Sequence, residues 1–206
     1  MRRWSPPSGI WWRSAITVLE CVGTERYFFV TFSNRNKSFT PMLCNKLTVR
    51  RAVESDHAEV LRVEREAFGR EDEATLVDRL VPAPEFTLSL IAECDGRAVG
   101  HVLLTEIAAP LRALALAPLA VIPAYREMQI GTQLVHQAIS DARNAGYEAM
   151  FVLGDTLYYE RFGFSSTLAD PFEIAWQGPH FMALELAGGA LAGKSGRLDY
   201  PVAFFG

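Results

Sequence analysis

The chain has 206 residues, 50% of them hydrophobic and 21% charged, and a formal net charge of −4. That allows one full domain with an appendage and a sizeable core, and excludes two large domains. Three widely spaced cysteines (Cys21, Cys44, Cys94) without a C-x-x-C pair argue for a reducing, cytoplasmic setting and against a disulfide framework or zinc site, and no apolar run is long enough to span a bilayer.

Residues 1–46 hold seven Lys/Arg against two Asp/Glu, a balance of +5, whereas 47–206 hold thirteen against twenty-two, or −9. The acidic body argues against a general nucleic-acid binder, which would want a basic face. The first 46 residues contain Trp4, Trp11 and Trp12, with β-like pieces at 15–22 and 27–32 but no sustained period. They read as an over-extended or poorly ordered N-terminal extension, 1–46, preceding a domain at 47–206. Arg13 interrupts the apolar stretch that a signal peptide would require.

From Leu47 the pattern becomes regular. Residues 47–51 predict a strand. Asp56 followed by Glu59 predicts a helix start of the capping-box type, and Val60, Leu61, Glu64, Ala67 and Phe68 continue at helical spacing until Gly69 stops the run. A second, shorter helix is expected over 71–81. Phe86, Leu88, Leu90, Ala92 and Cys94 alternate as a strand does. Asp95-Gly96 is a hairpin signal, and 98–107 returns as the partner strand with Gly100 marking a bulge. Residues 111–121 form a further apolar strand. Pro118 lacks a backbone donor and belongs there at a bulge or an unpaired position.

The most informative stretch follows. Tyr125-Arg126-Glu127-Met128-Gln129-Ile130-Gly131-Thr132 turns from that strand into an amphipathic helix that ends near Gly146. A helix starting straight after a strand offers free N–H groups and a positive dipole end to an anion. Residues 148–153 predict another strand, 156–162 a short helix carrying Tyr158 and Tyr159, and 181–186 a late strand. The turn resembles motif A of the GNAT superfamily of N-acetyltransferases, Q/R-x-x-G-x-G/A. Arg126 takes the first position and Gly131 the last, while Gln129 stands where the first glycine usually sits. Tyr158-Tyr159-Glu160-Arg161-Phe162-Gly163-Phe164 resembles the later GNAT signature F-Y-E-K-L-G-F. Pro118 to Val121, the V-L-G-D-x-x-Y-Y run and the tail from Gly188 to Phe204 resemble the bacterial YhbS-like branch, so the resemblance spans 47–205.

The resemblance implies an α/β GNAT fold, a mixed and mostly antiparallel sheet flanked by helices, and acetyl-CoA as cosubstrate without a metal. It implies that the fourth strand bulges and then splays from the fifth to admit the pantetheine arm. The edges at Leu119 and Val121 would bind pantetheine amides, and N–H groups from Met128 through Gln129, Ile130 and Gly131 to Thr132 would take pyrophosphate, with Arg126 adding charge. A backbone N–H at Leu119 or Ala120 would meet the oxyanion, Tyr158 would line the channel, and Tyr159 would protonate the departing thiolate. An attacking ammonium must first lose a proton. Glu106 is the first candidate base, with Glu64 and Glu66 behind it. His101 and His180 are candidate substrate contacts, and Cys94 reads as core.

The implied activity is acetyl transfer to a primary amine by direct attack. The alternatives are a non-catalytic acyl-CoA-binding module, which Gln129 and the missing obvious base suggest, or an N-acyltransferase using a longer acyl group. The acceptor is open; no nucleic acid or membrane is expected as a partner, and the chain is expected as a monomer or homodimer.

Overall fold

The computed structural model describes residues 44–82 and 87–205. The readings made for 15–22, 27–32 and Phe86 lie outside them. The chain runs β1 (Leu47–Arg51), α1 (His57–Phe68), α2 (Asp72–Leu80), β2 (Thr87–Cys94), β3 (Arg97–Ile107), β4 (Ala113–Val121), α3 (Ile130–Asn144), β5 (Ala149–Leu153), α4 (Thr156–Glu160), α5 (Ser166–Ala169), β6 (Phe172–Glu173), β7 (Phe181–Glu185) and β8 (Gly196–Arg197). One six-stranded sheet has the order β1-β2-β3-β4-β5-β7, and β6 and β8 form a small ribbon. In the large sheet β4 and β5 are parallel and every other pairing is antiparallel.

The two faces of β3 show how the sheet is covered. A Cβ on Gly100 would come within 3.0 Å of Leu134 and 3.1 Å of Ile130, so α3 packs closely there and tolerates only hydrogen. On the opposite face His101 bonds Glu64 of α1. Successive strand residues point to opposite faces, so α1 and α3 lie on opposite sides. Beyond β5, Phe151, Phe172 and Phe181 gather with Ala169 of α5 into a second apolar cluster.

Local chemistry explains most boundaries. Asp95 and Gly96 both take positive φ, 50° and 84°, as the tight β2–β3 turn requires. The β2–β3 register slips so that Ala92 faces Gly100 and Glu93 faces Ala98, leaving Val99 as the extra residue beside the expected bulge glycine. Gly69 ends α1 in the left-handed region at φ 69°. Asp56 does not act as a capping box with Glu59. Its carboxylate reaches backward, accepting from the Val53 N–H at 2.8 Å and pairing with Arg50 at 2.6 Å. Arg50 also bonds Glu93 of β2 at 2.6 Å, tying the first helix to the first two strands.

The cysteine reading is corrected. Cys44 and Cys94 form a disulfide. Antiparallel pairing of Leu47 with Cys94 brings the residues before β1 back alongside the end of β2. Asp95 then accepts hydrogen bonds from the Asn45 and Lys46 N–H groups. The residues are 50 apart in sequence, so spacing alone carried no sign of the pairing.

Candidate active site

The site begins with a fault in β4. Val102 faces Leu119 and Leu104 faces Leu116, so Ala117 and Pro118 together oppose the single residue Leu103. A two-against-one bulge bends the strand, and the proline removes one donor where the ladder breaks. β4 pairs with β5 only from Ala113 to Ala115, against Ala149 to Phe151. From Leu116 to Val121 the β5 side of β4 therefore has no strand partner among the described residues. An edge of unpaired amides and carbonyls is what an extended ligand carrying amides of its own can bind.

That open edge leads into the turn before α3. Glu127 and Gln129 both take left-handed conformations, with φ 69° and 62°. The sequence put glycine's usual position at Gln129, and the backbone there adopts the conformation a glycine would take, at a cost of about 1–2 kcal/mol. Among the described residues no backbone N–H from Glu127 to Thr132 has a backbone carbonyl partner. Successive free N–H groups in alternating conformations form an anion-binding concavity at the positive end of the helix. The residues present fit a pyrophosphate.

α4 closes the site from the other side. Asp155 caps it by accepting the Tyr158 N–H at 2.7 Å. The Tyr158 hydroxyl lies 2.7 Å from where a Cβ on Gly131 would stand, so glycine there makes room for the phenol over the first turn of α3. Arg161 stacks on the Tyr158 ring at 4.5 Å. Tyr159 turns inward. Its ring meets Tyr158 and Phe164 edge-on at 5.0 and 5.6 Å. A Cβ on Gly154, just past β5, would fall 2.5 Å from the Tyr159 ring. Burial pushes the Tyr159 phenol well above the ordinary tyrosine range, and a weaker acidic influence from Tyr158 and Asp155 adds to this. It therefore stays protonated at neutral pH.

Of the predicted residues, Arg126 is engaged with backbone beside the turn and Glu106 lies away from it. The Arg126 guanidinium donates to the carbonyls of Ala67 at 2.7 Å and Val121 at 3.3 Å. It ties the end of α1 to the end of β4, where it is engaged with backbone rather than held over the free N–H groups. Glu106 accepts a 2.9 Å bond from the Tyr147 hydroxyl and pairs in register with Leu114. Tyr147 follows the far end of α3, a 15-residue helix about 22 Å long, so Glu106 sits at the opposite end of that helix from the turn. Glu66 bonds Arg62 on the surface of α1 at 2.7 Å, and His180 approaches Thr156 at 3.4 Å. The Cys44, Cys94 and Asp95 cluster has metal-like proximity, but its two sulfurs are bonded to each other.

A polar chain that spacing did not single out as a unit lies beneath α1. The Ser89 hydroxyl is 2.9 Å from His101 Nε2, and His101 Nδ1 bonds Glu64 Oε1. Glu64 and His101 are both fully buried. The available signal was Glu64 itself, a carboxylate on the stripe formed by Val60, Val63 and Ala67.

Residues 53–164 match the model of the Acetyltransferase (GNAT) family. The chain belongs to the GNAT acetyltransferase family. Its similarity to the uncharacterized N-acetyltransferase YjhQ of Escherichia coli K12 is 41% identity over 124 residues, covering 56% of this chain and 68% of that one. Among solved structures it is similar to the E. coli GNAT N-acetyltransferase YhbS in complex with CoA, with TM-score 0.72 and 30% identity, covering 77% of this chain and 91% of that one. It also resembles a Brucella melitensis GNAT acetyltransferase in complex with acetyl-CoA, with TM-score 0.65 and 29% identity, covering 77% and 98%. The YhbS-like branch is thus the right part of this GNAT family, and the α/β fold agrees with it.

Proposed function

We propose that this GNAT protein transfers an acetyl group from acetyl-CoA to a primary amine by direct attack. The observation that carries the reading is the continuity of the unpaired β4 edge with the row of free N–H groups before α3. One end suits amides and the other suits a pyrophosphate, in the order that a CoA tail presents them. When bound, acetyl-CoA would supply the thioester carbonyl that the amine attacks.

The chain's own groups divide the remaining work. N–H groups from Met128 to Thr132 hold the pyrophosphate, and Gly131 keeps the approach open. The edges at Leu119 and Val121 bind the pantetheine amides. A backbone N–H at Leu119 or Ala120 meets the oxyanion, and such a donor is worth about 3–4 kcal/mol when pre-placed. Tyr158 walls the channel at Gly131. Tyr159 gives its proton to the departing sulfur and recovers it as the product leaves. Arg126 fixes the turn by bonding Ala67 and Val121 rather than by touching phosphate.

The test is free-thiol release from acetyl-CoA with the purified protein and a panel of primary amines. Amine-dependent release above the uncatalysed rate is expected. Tight CoA binding without release, for acetyl-CoA and for longer acyl-CoAs alike, would make the protein a binding module.

A further inference from the structure

Glu64 is a charged residue in an unusual place. It is 0% exposed, lies between α1 and β3, and has only one of its two oxygens engaged. Oε2 has no hydrogen-bond partner among the described residues. A buried carboxyl costs several kcal/mol unless it is well paired, and a buried oxygen left open in a native fold calls for a ligand, a water or a chemical task.

The engaged oxygen shows how the group is held. With Glu64 ionised its carboxylate accepts, and His101 Nδ1 then carries the proton and donates to Oε1. Nε2 is then the acceptor, and the Ser89 hydroxyl donates to it at 2.9 Å. Ser89 on β2 and Glu64 on α1 thus fix the imidazole from both sides. The register places this group near the proposed chemistry. His101 pairs directly with Ala120, the residue between Leu119 and Val121 on the open edge. Neighbouring strands lie about 4.8 Å apart, so His101 stands one strand from the segment that would hold the thioester. α1 is anchored over that segment by the Arg126 bonds to Ala67 and Val121.

We propose that Glu64 is the proton acceptor for the incoming ammonium, reached through water at Oε2, with His101 as its positioning residue. The inference rests on the N-acetyl-transfer reading and adds to it the base that Glu106, at the other end of α3, does not supply. One proton moves from the ammonium to Oε2, and the nitrogen lone pair so freed attacks the thioester carbon. The C–S bond breaks, the sulfur leaves with its electron pair and takes the Tyr159 proton, and the second amine proton restores Tyr159. Release of the Glu64 proton completes the cycle, so the net products are the acetylated amine, CoA thiol and one proton.

The surroundings suit this role. The groups facing Glu64 are His101 from β3 and Glu73 from α2, the latter tied to Arg70 at 2.5 Å. β4, which also packs on α1, carries no titratable side chain from Ala113 to Val121. Burial pushes the Glu64 carboxyl above its ordinary value, the His101 contact opposes this, and Glu73 adds a smaller push upward. A base raised toward neutrality keeps more driving force for taking a proton at pH 7.

The experiment compares pH profiles of the wild type and Glu64→Gln, using acetyl-CoA and the panel amine turned over fastest, with CoA affinity and thermal melting of both proteins. The wild-type rate should rise through the Glu64 titration and then level off while the acceptor is still an ammonium. Glu64→Gln should lose roughly 10²-fold or more in kcat, keep its CoA affinity, and climb with pH up to the acceptor's own pKa. If Glu64→Gln does not melt cooperatively, Glu64→Asp replaces it and should lower the plateau without abolishing it. An unchanged plateau in either variant overturns the assignment of Glu64 but leaves acetyl transfer standing. A wild type that releases no thiol with any amine overturns both.

Discussion

Tyr158 and Tyr159 are adjacent in sequence yet meet different surroundings, and the roles proposed for them differ accordingly. Tyr158 lays its hydroxyl over Gly131, within reach of the anion-binding turn, while Tyr159 is buried against Gly154 and Phe164. Tyr159→Phe keeps the ring and its packing and removes only the hydroxyl. Its kcat should fall by about 10²–10⁴-fold with CoA affinity retained, whereas Tyr158→Phe should lose far less turnover. Stopped-flow thiol release with calorimetric CoA binding checks both. The opposite order would make Tyr158 the acid. Tyr159 is singled out in the sequence because it holds the tyrosine place of the Tyr-Glu-basic-apolar-Gly-Phe order. Arg126 was legible as a residue of the turn but not as one that grips Ala67, since that contact depends on where α1 ends in space. Gln129 taught the reverse lesson: its side chain departs from the motif, yet its backbone keeps the left-handed conformation that the motif needs.

Elements followed the sequence wherever one residue's stereochemistry dictates the outcome. The Asp95-Gly96 turn, the stop at Gly69 and the break at Pro118 were all legible, because positive φ and a missing N–H leave few alternatives. β6 and β8 were not, because two residues each are too few to show a period. Asp56 was recognised as a helix-start residue, but its partner lay behind it rather than ahead. That contact has a pH signature. Arg50 lowers the Asp56 carboxyl below its ordinary value, chiefly by direct hydrogen bonding, so the bridge stabilises the fold above the ordinary carboxyl range and is lost as pH falls through the lowered value. Asp56→Asn should cost about 1 kcal/mol near pH 7, a figure held down by the partial exposure of Arg50. The gap between the variant and wild type in thermal melting should narrow as pH falls below the ordinary carboxyl range. A gap that persists unchanged at low pH would show that the bridge adds nothing beyond the carboxamide.

For the whole molecule, the functional centre is made largely of backbone: a bulge that bends β4, a splay that leaves its edge open, and a turn that exposes six consecutive N–H groups. The Tyr158 side chain of α4 then lies over that frame at Gly131. Such an arrangement is only partly visible in sequence, because the strand order and the Cys44–Cys94 bond depend on register rather than on residue type. The most direct measurement is a crystal structure of this protein grown with CoA. The pyrophosphate should lie on the N–H groups between Met128 and Thr132, the pantetheine along Leu119 to Val121 between β4 and β5, and the sulfur within hydrogen-bond reach of the Tyr159 hydroxyl. CoA seated away from the start of α3, or a pantetheine arm that leaves the β4 edge unpaired, would contradict it.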